Sequence, residues 1–542
     1  MLGLMQDWPL LCHKILDYAA VQHGGREIVS RSVEGPIVRT TYADIHARAK
    51  KASQALEAEG FGLGDRIATL GWNSARHMEA WYGAMGVGGI YHTLNPRLFP
   101  EQIAWIMNHA EDKVLFVDLS FLPIVEAIAD KVPSLRKIIV LTDADHMPKG
   151  SKVDMVDYES WIARQDGDFD WKQFDENTAC GMCYTSGTTG DPKGVLYSHR
   201  SNVLHALISA QPDALNLGSG EVIMPVVPMF HANAWGIAHS APMVGAKVVN
   251  PGPLMDGASI YELLDSEKVT MTAAVPTVWL MLLAYLEESG NKLPHLNRVV
   301  IGGSACPRAM TEAFQDTYNV EVIHAWGMTE MSPIGSLGSM KPQYGHLDGN
   351  ARLDLQEKQG YAPFGVEMKV TDDENVELPW DGSTFGKLKV RGPAIANAYY
   401  GGDGAEQFDD DQWFDTGDVA HINSEGYMQI TDRSKDVIKS GGEWISTIDL
   451  ENLAVGHPDI QEAAVIGIVH PRWDERPLLI CIKKEGKEPS EQEVLEFMEG
   501  KIAKWWMPNA VAFVEEIPHT ATGKIQKTEL RKQFSEYRFS DG

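Results

Sequence analysis

Residues Tyr184–Gly194 read Y-T-S-G-T-T-G-D-P-K-G, and the preceding residues Thr178–Tyr184 have the composition of a strand that enters this loop. Glycines free the backbone so that its N–H groups can converge on an anion, and hydroxyl side chains add further donors. Lys193 contributes a positive charge. The stretch therefore predicts a phosphate-binding loop at the end of a strand, with a polar surface turn as the alternative for the loop taken alone.

The loop differs from the common nucleotide-binding pattern G-x-x-x-x-G-K-[ST]. Its lysine, Lys193, is followed by Gly194, so no adjacent hydroxyl residue is available to hold Mg²⁺. A Walker-type NTPase is therefore disfavoured.

Helical and β-branched segments alternate on both sides of the loop, which predicts parallel sheets covered by helices. The predicted strands are Asp65–Leu70, Val114–Val117, Lys137–Leu141, Ala246–Asn250, Thr270–Ala274 and Arg298–Gly302. The predicted helices are Asp44–Gly60, His77–Val87, Leu122–Val132, Ser259–Glu267, Pro276–Glu287 and Arg308–Tyr318. The fold class is therefore α/β.

The pattern changes after about residue 360, where short strands alternate with glycine turns and predict an antiparallel, barrel-like subdomain. The charged string Asp432–Asp436 follows, and beyond it the segments predict a compact α+β unit. That unit has helices at Ile445–Val455 and Glu491–Lys501 and strands at Ile460–Val469, Leu478–Lys483 and Val511–Val514. We therefore divide the chain into an N-terminal domain (1–431), a boundary (432–436) and a small C-terminal domain (437–542).

Composition narrows the class of partner. The 542 residues carry a formal net charge of −28, which disfavours nucleic acid and anionic membranes. The N-terminus lacks a basic export region, and the apolar window 222–249 contains three prolines and two histidines, so no membrane anchor is expected. Five cysteines fit a reducing compartment. We expect a cytoplasmic protein.

One cysteine pair, Cys180 and Cys183, has C-x-x-C spacing. The functional interpretation is a redox pair or half of a zinc site. Residues three apart on a strand point to opposite faces, however, and no second such pair completes a zinc site. We therefore expect these cysteines to belong to the strand that enters the loop.

Three further motifs are weak when taken singly. Glu330, in W-G-M-T-E, could bring Mg²⁺ to phosphate oxygens, although a lone glutamate is usually just solvated. Asp418, in T-G-D, could accept hydrogen bonds from both ribose hydroxyls, and Arg433 could hold the same sugar or a phosphate. Lys524, in P-H-T-A-T-G-K, could neutralise a carboxylate or a phosphate. A surface turn and a frayed basic tail are the alternatives for the last two motifs.

Taken in order, these motifs together with D-R-x-K-D resemble those of the adenylate-forming superfamily, which includes acyl-CoA synthetases, luciferases and peptide-synthetase adenylation domains. The resemblance runs from Ala49 to Lys527. Two stretches, Val227–Trp235 and Gly441–Glu451, resemble the gate and post-hinge segments of fatty-acyl-CoA synthetases. Overall, the chain resembles most the bacterial 3-methylmercaptopropionate–CoA ligases of dimethylsulfoniopropionate breakdown. An acyltransferase H-x-x-x-D base at His231 is excluded because Trp235 stands where the aspartate should be.

The resemblance implies a ligase that joins a carboxylic acid to CoA through an acyl-adenylate, with ATP, Mg²⁺ and CoA. The implied acid is 3-methylmercaptopropionate, a short- to medium-chain fatty acid, or both, and relatives imply a homodimer. Four alternatives stay open: a long-chain fatty-acyl-CoA synthetase, a loader of a carrier protein, a luciferase-like oxygenase, and a nucleotide-binding regulator that has lost catalysis. No carrier domain follows residue 542, which favours free CoA as the acceptor.

The resemblance also implies residue roles. ATP and AMP would contact Thr185, Ser186, Gly187, Thr188, Thr189, Gly190, Lys193, Gly303, Ser304, Ala325, Trp326, Gly327, Met328, Thr329, Asp418 and Arg433. Catalysis would use Lys524, Glu330, Thr185, His231 and Lys439, with Thr185 and Glu330 holding Mg²⁺. The acid would contact His231, Trp235, Gly302, Gly303 and Met331, and pantetheine would contact Lys439, Gly441, Gly442, Glu443 and Trp444. Lys435 would be the hinge about which a mobile C-terminal domain rotates between the half-reactions.

Overall fold

Two mostly parallel sheets form the large N-terminal region in the computed structural model, which describes residues 1, 3–185, 191–433, 435–440, 443–519 and 525–539. A seven-stranded sheet has the order Val156–Asp157, Lys137–Val140, Val114–Val117, Arg66–Leu70, Ile90–Thr93, Ala179–Tyr184, Gly194–Ser198. An eight-stranded sheet has the order Ile334–Leu337, Glu321–Gly327, Arg298–Ile301, Met271–Ala274, Val222–Pro225, Lys247–Asn250, Glu27–Arg31, Ile37–Thr41. Among the described strands, the antiparallel pairs of these two sheets lie at their edges.

Helices cover both sheets. They span His13–Gln22, Tyr42–Ala58, Ala75–Gly86, Pro100–Ala110, Leu122–Ile128, Tyr158–Ile162, His199–Ala210, Ile237–Val244, Gly257–Ser266, Pro276–Ser289, Arg308–Glu312 and Gly349–Gln356. Local sequence explains several of the ends. Thr41 and Asp44, for example, form a capping box that begins the second helix.

The later part of the chain forms two smaller sheets. Strands Glu367–Thr371, Gly386–Arg391, Phe414–Ile422 and Met428–Arg433 make an antiparallel sheet in that order. The C-terminal sheet has the order Glu443–Ile445, Ile438–Ser440, Asp474–Lys483, Ile460–His470, with Ala510–Phe513 parallel to Asp474–Lys483. Helices Thr447–Val455, Glu491–Met498 and Lys527–Gln533 accompany it. The expected α/β fold with a small C-terminal unit is confirmed.

Several predicted helices differ from the structure, most of them at an end, and those predicted at 308–318 and 445–455 are two examples. The helix predicted over 308–318 is α-helical only at Arg308–Glu312 and continues as a π-turn, Ala313–Thr317. The helix predicted from residue 445 begins at Thr447, because Ile445 ends a short strand. That strand pairs Ile445 with Ile438, a contact between residues that apolar periodicity does not connect.

The C-x-x-C pair belongs to a strand, as expected. Cys180 and Cys183 lie on Ala179–Tyr184 and are both buried. The thiol of Cys180 lies 3.8 Å from that of Cys12, whereas Cys183 lies 3.1 Å from the Thr93 hydroxyl. The two thiols have different neighbours, which is the arrangement that strand alternation requires.

Seven buried histidines make the folded state sensitive to acid. Burial lowers the pKa of each from 6.5 to about 3 or 4; they are His13, His77, His199, His205, His239, His324 and His421. Burial has the opposite effect on seven carboxyl groups: it raises the pKa of Asp118 and Glu451 to about 7 and that of Asp449 to about 6, and it also raises the pKa of Glu79, Asp112, Glu357 and Asp432. These groups become more favourable to folding as the pH falls.

We expect the melting temperature to fall by several degrees between pH 7.5 and pH 5.5. Below pH 6.5 the unfolded chain binds protons on these histidines and the folded chain does not, so their contribution is complete above pH 6.5 and is lost towards pH 4. At pH 5.5 each histidine costs about 1.4 kcal/mol, and we expect the seven together to outweigh the opposing carboxyl groups. Differential scanning fluorimetry measures the change. A melting temperature that stays level or rises would contradict the prediction.

Candidate active site

The glycine-rich stretch is the connection of a β-hairpin. Strands Ala179–Tyr184 and Gly194–Ser198 pair antiparallel, with Tyr184 opposite Gly194. The amide of Thr185 donates to the carbonyl of Lys193 (2.9 Å), and the amide of Lys193 donates to the Thr185 hydroxyl (3.2 Å). The predicted contacts Ser186, Gly187, Thr188, Thr189 and Gly190 lie outside the described residues. The structure therefore places the base of the loop, closed by Thr185 and Lys193.

The ammonium group of Lys193 lies among three side chains of a later segment. It donates to Gln407 Oε1 (2.7 Å), lies 4.0 Å from a carboxylate oxygen of Glu406, and sits 4.9 Å from the ring centroid of Tyr399. These neighbours hold a partly exposed cation beside the mouth of the loop.

Glu330 lies on the turn Thr329–Met331, which follows strand Glu321–Gly327. Its side chain is buried, and its Oε1 accepts a hydrogen bond of 2.6 Å from the Tyr399 hydroxyl. Burial and the nearby Glu330 carboxylate both raise the pKa of Tyr399, so this phenol stays protonated and donates. A carboxylate with one oxygen fixed in this way has a defined orientation.

A hydrogen bond and a requirement for glycine further define the position of this turn. The Tyr197 hydroxyl donates to the Thr329 carbonyl (2.7 Å). A Cβ at Gly327 would lie 2.1 Å from the carbonyl oxygen of Pro333, so only glycine fits there. Met328 is half-buried, and Met331 is fully buried in the same core cluster as Trp326.

Asp418 is held by two of the other predicted nucleotide contacts. Its Oδ2 accepts a hydrogen bond from the Trp326 indole N–H (3.0 Å), and its Oδ1 lies 2.9 Å from Arg433 Nε. Asp418 and Arg433 are directly paired on neighbouring strands, and Arg433 also donates to the Thr416 carbonyl (3.1 Å). Asp418 is 2% exposed, whereas the Arg433 side chain is 39% exposed, so the ion pair is shielded from water only on the Asp418 side.

The predicted acid-binding residues Gly302 and Trp235 are in contact. A Cβ at Gly302 would lie 2.8 Å from the Ala325 carbonyl oxygen and 3.2 Å from Cη2 of Trp235. Glycine therefore lets the indole approach the strand edge beside the predicted adenine contact Ala325. Gly303 follows with a positive φ of 84°, and Ser304 is exposed.

The segment that carries Trp235 has a left-handed backbone that sequence patterns do not reveal. Ala232, Asn233, Ala234 and Trp235 have φ values of 42°, 61°, 52° and 54°. Each such non-glycine residue costs about 1–2 kcal/mol. Strain of this kind is concentrated at functional sites. His231, immediately before the turn, is half-buried, and its amide donates to the Pro228 carbonyl (3.0 Å).

The predicted CoA and hinge residues lie in and before the C-terminal sheet. Lys435 is exposed on the turn after strand Met428–Arg433. Lys439 is exposed on strand Ile438–Ser440, and its charge adds to the hydrogen bond and charge of Lys387 in lowering the pKa of Asp373, on the turn after strand Glu367–Thr371. Gly441, Gly442 and Lys524 lie outside the described residues. Of Glu443 and Trp444, the structure describes only their place in a strand.

The structure thus brings together predicted residues from three distant motifs. Tyr399 contacts both Lys193 and Glu330, and it shares a buried core cluster with Trp326, whose indole N–H donates to Asp418. Sequence reasoning missed Tyr399, because nothing in the A-N-A-Y-Y stretch that contains it indicates a phosphate or metal contact.

Two family models match this chain. The model of the AMP-binding enzyme matches residues 16–400, which is most of the chain, and the model of the AMP-binding enzyme C-terminal domain matches residues 449–524. The chain belongs to the AMP-binding enzyme family. This assignment confirms the resemblance inferred from the ordered motifs.

Curated members of the AMP-binding enzyme family are similar over nearly the full length. A 3-methylmercaptopropionyl-CoA ligase of Ruegeria lacuscaerulensis is 48% identical, covering 99% of both chains. A medium-chain-fatty-acid–CoA ligase of Ectopseudomonas oleovorans is 47% identical, covering 99% of this chain and 98% of the relative. A long-chain-fatty-acid–CoA ligase of Thermus thermophilus is 45% identical, covering 98% and 97%. These three sequence identities are too similar to show which acid this chain uses.

A solved structure of the family has the same fold. The crystal structure of the anthranilate CoA ligase AuaEII in complex with anthranoyl-AMP is 26% identical and superposes with a TM-score of 0.85, covering 98% of this chain and 99% of that chain.

Proposed function

We propose that this protein is an ATP-dependent acid–CoA ligase that converts a carboxylic acid, ATP and CoA into acyl-CoA, AMP and pyrophosphate through an acyl-adenylate. The observation that supports this best is that Tyr399 contacts Lys193 and Glu330 and packs in the same core cluster as Trp326, whose indole N–H donates to Asp418. Membership in the AMP-binding family and the CoA ligases among its relatives support the same reaction.

In the first half-reaction the acid carboxylate attacks the α-phosphorus of ATP, so an anion must approach a polyanion. Two like charges at 4 Å repel by about 4 kcal/mol at an effective dielectric constant near 20. We assign three cations to offset this repulsion: Lys193 at the loop base, Arg433 beside Asp418, and Lys524. Asp418 would hold the ribose and thereby fix the position of the α-phosphate.

The oxygen ligands of the site suit Mg²⁺. The Glu330 carboxylate and the Thr185 hydroxyl are hard oxygen donors, which Mg²⁺ prefers together with phosphate oxygens. We assign these two residues as its protein ligands; when bound, the ion would offset phosphate charge. Glu330 is already oriented by the hydrogen bond from Tyr399 (2.6 Å).

In the second half-reaction we propose that the C-terminal domain, residues 437–542, turns relative to residues 1–431 about the segment 432–436. Asp432 lies on the last strand of the antiparallel sheet and is buried. Its Oδ2 accepts hydrogen bonds from the amide (2.8 Å) and hydroxyl (2.6 Å) of Thr447, at the start of the first C-terminal helix. The exposed Lys435 would be the pivot. Lys439 and the segment 441–444 would then contact pantetheine.

The acid we propose is 3-methylmercaptopropionate, a short- to medium-chain fatty acid, or both. The AMP-forming ligase would then act in dimethylsulfoniopropionate breakdown or in fatty acid metabolism. The indole of Trp235 supports this, because it occupies space beside Gly302 that a longer acid would need. A long-chain fatty-acyl-CoA synthetase is the second candidate, favoured by the Thermus relative. A carrier-protein loader is the third.

We also propose that the enzyme is cytoplasmic and acts as a homodimer. Within the described part of the chain, no helix is both long enough and apolar enough to cross a bilayer. Sedimentation velocity measures the oligomeric state, and cell fractionation measures the location.

Replacing Trp235 by alanine is expected to move the optimum to acids at least about two carbons longer, since each accommodated methylene is worth about 1–3 kcal/mol. The backbone cost does not change, because alanine and tryptophan are equally disfavoured at a φ of 54°. The measurement is kcat/KM for acids from butyrate to dodecanoate. Trp380→Ala, which removes an indole that is 40% exposed, is the control. An unchanged optimum would show that Trp235 does not limit the acid site.

The proposed function is tested by acid-dependent ATP–pyrophosphate exchange, with acyl-CoA formation followed in parallel. The acids run from acetate to decanoate and include 3-methylmercaptopropionate. A common optimum for both readouts at 3-methylmercaptopropionate or at butyrate to hexanoate would support the proposal. Pyrophosphate exchange without acyl-CoA formation would mean that CoA is not the acceptor of the acyl group. No exchange with any acid would favour a nucleotide-binding regulator.

A further inference from the structure

We propose that Tyr399 is a positioning residue for the adenylation site, which sets the orientation of Glu330 and the place of Lys193 through two different parts of one side chain. The inference rests on the proposed function, because it concerns the residues assigned to phosphate and Mg²⁺.

The hydroxyl group of Tyr399 acts on Glu330. The two residues are 69 positions apart, and their oxygens lie 2.6 Å apart between two buried side chains. The Ala396 amide, three residues before Tyr399, also donates to the Glu330 carbonyl (2.8 Å). The carboxylate and the backbone of Glu330 are therefore both held by the segment that carries Tyr399.

The ring of Tyr399 acts on Lys193. The ammonium group lies 4.9 Å from the ring centroid, within the range of a cation–π contact. Lys193 directly precedes a strand of the seven-stranded sheet, and Glu330 lies on the turn between two strands of the eight-stranded sheet, so Tyr399 joins the base of the hairpin loop to the Thr329–Met331 turn.

The next residue, Tyr400, extends this connection to the other end of the loop. Its Cβ lies 3.2 Å from the position that a Cβ on Gly194 would occupy. Its ring packs edge-on against His109 (5.6 Å), and His109 Nδ1 lies 2.6 Å from the Tyr184 hydroxyl. Tyr184 and Gly194 are the paired residues from which the hairpin loop begins and ends.

A purely structural role is the competing explanation, because Tyr399 also packs against Phe408 (5.5 Å) and Phe414 (6.4 Å). Tyr399→Phe separates the two roles, since it keeps the ring and its packing and removes the hydroxyl group. The matched control is Tyr427→Phe, which removes another buried phenol hydroxyl, one that donates to the Ser339 carbonyl (2.9 Å) outside the adenylation site.

The experiment compares wild type, Tyr399→Phe and Tyr427→Phe. The readouts are melting temperature, kcat and ATP KM in pyrophosphate exchange as the Mg²⁺ concentration is varied, and calorimetric binding of the non-hydrolysable analogue AMPCPP with and without Mg²⁺. We expect both variants to lose a few degrees of melting temperature. Only Tyr399→Phe should lose kcat, by about tenfold or more, and need several times more Mg²⁺ for half-maximal binding and activity. Tyr399→Leu should raise the ATP KM further, through loss of the ring beneath Lys193.

Equal Mg²⁺ dependence and kcat for Tyr399→Phe and Tyr427→Phe would overturn the inference. If the wild type binds AMPCPP with Mg²⁺ but shows no exchange with any acid, the proposed function fails. The binding comparison still decides the role of Tyr399 in that case. Should Tyr399→Leu fail to fold, the Tyr399→Phe result stands alone.

Discussion

Replacing Lys524 by alanine is expected to lower acid-dependent pyrophosphate exchange by roughly 10³-fold, while thioester formation from supplied acyl-AMP and CoA stays near the wild-type rate. The magnitude follows from the repulsion between acid and ATP, about 4 kcal/mol at 4 Å, and from about 1.4 kcal/mol per factor of ten in rate. The second half-reaction has no such repulsion, because the leaving group is already AMP. The two rates are measured separately, by isotope exchange and by CoA-thioester absorbance.

Lys532→Ala is the matched control for this variant. It removes a lysine from the last described helix; its side chain is 70% exposed and pairs with the neighbouring Glu529. It should leave both half-reactions unchanged. If Lys524→Ala loses both half-reactions with an unchanged melting temperature, the assignment of Lys524 to adenylation alone is wrong.

Most of the α/β architecture could be predicted because its signals are local. Strand Val114–Val117 was predicted with its observed bounds, and helix Pro276–Ser289 begins at the predicted proline. Prediction failed where a distant partner decides the backbone. Ile445 forms a strand because it pairs with Ile438. The left-handed turn at Ala232–Trp235 contains no glycine, the residue that usually indicates this backbone, and the first glycine follows it at Gly236.

The candidate site shows the same division between local and distant information. Motifs indicate Lys193, Glu330 and Asp418, because each has a recognisable neighbourhood in the chain. The groups that orient these residues are distant in the chain. Trp326, which donates to Asp418, is 92 positions away from it, and Tyr399, which donates to Glu330, is 69 positions away. A phenol or indole that donates one hydrogen bond across two sheets leaves no pattern in a single sequence.

Replacing Asp418 by asparagine is expected to lower kcat/KM for ATP by about 10²- to 10³-fold, a loss of about 3–4 kcal/mol. The carboxylate accepts from the Trp326 indole (3.0 Å) and pairs with Arg433 (2.9 Å) while 2% exposed. An asparagine of the same shape has one oxygen and one NH₂ group for these two donors, so one of them must face another donor. Arg433, whose side chain is 39% exposed, would also lose its carboxylate partner.

The ribose role of Asp418 is separable from this structural loss by changing the ligand. If its carboxylate accepts from the ribose hydroxyls, the wild type prefers ATP to 2′,3′-dideoxy-ATP, and Asp418→Asn loses most of that preference; the cycle of two enzymes and two ligands isolates the contact. Asp415→Asn, on the same strand, is the control, because Asp415 accepts from the Gly417 amide (2.9 Å) and has no assigned ligand. A preference for ATP that survives in Asp418→Asn would mean that Asp418 acts only by holding Trp326 and Arg433. The sugar contact would then fall to Arg433, the other predicted ribose residue on the paired strand.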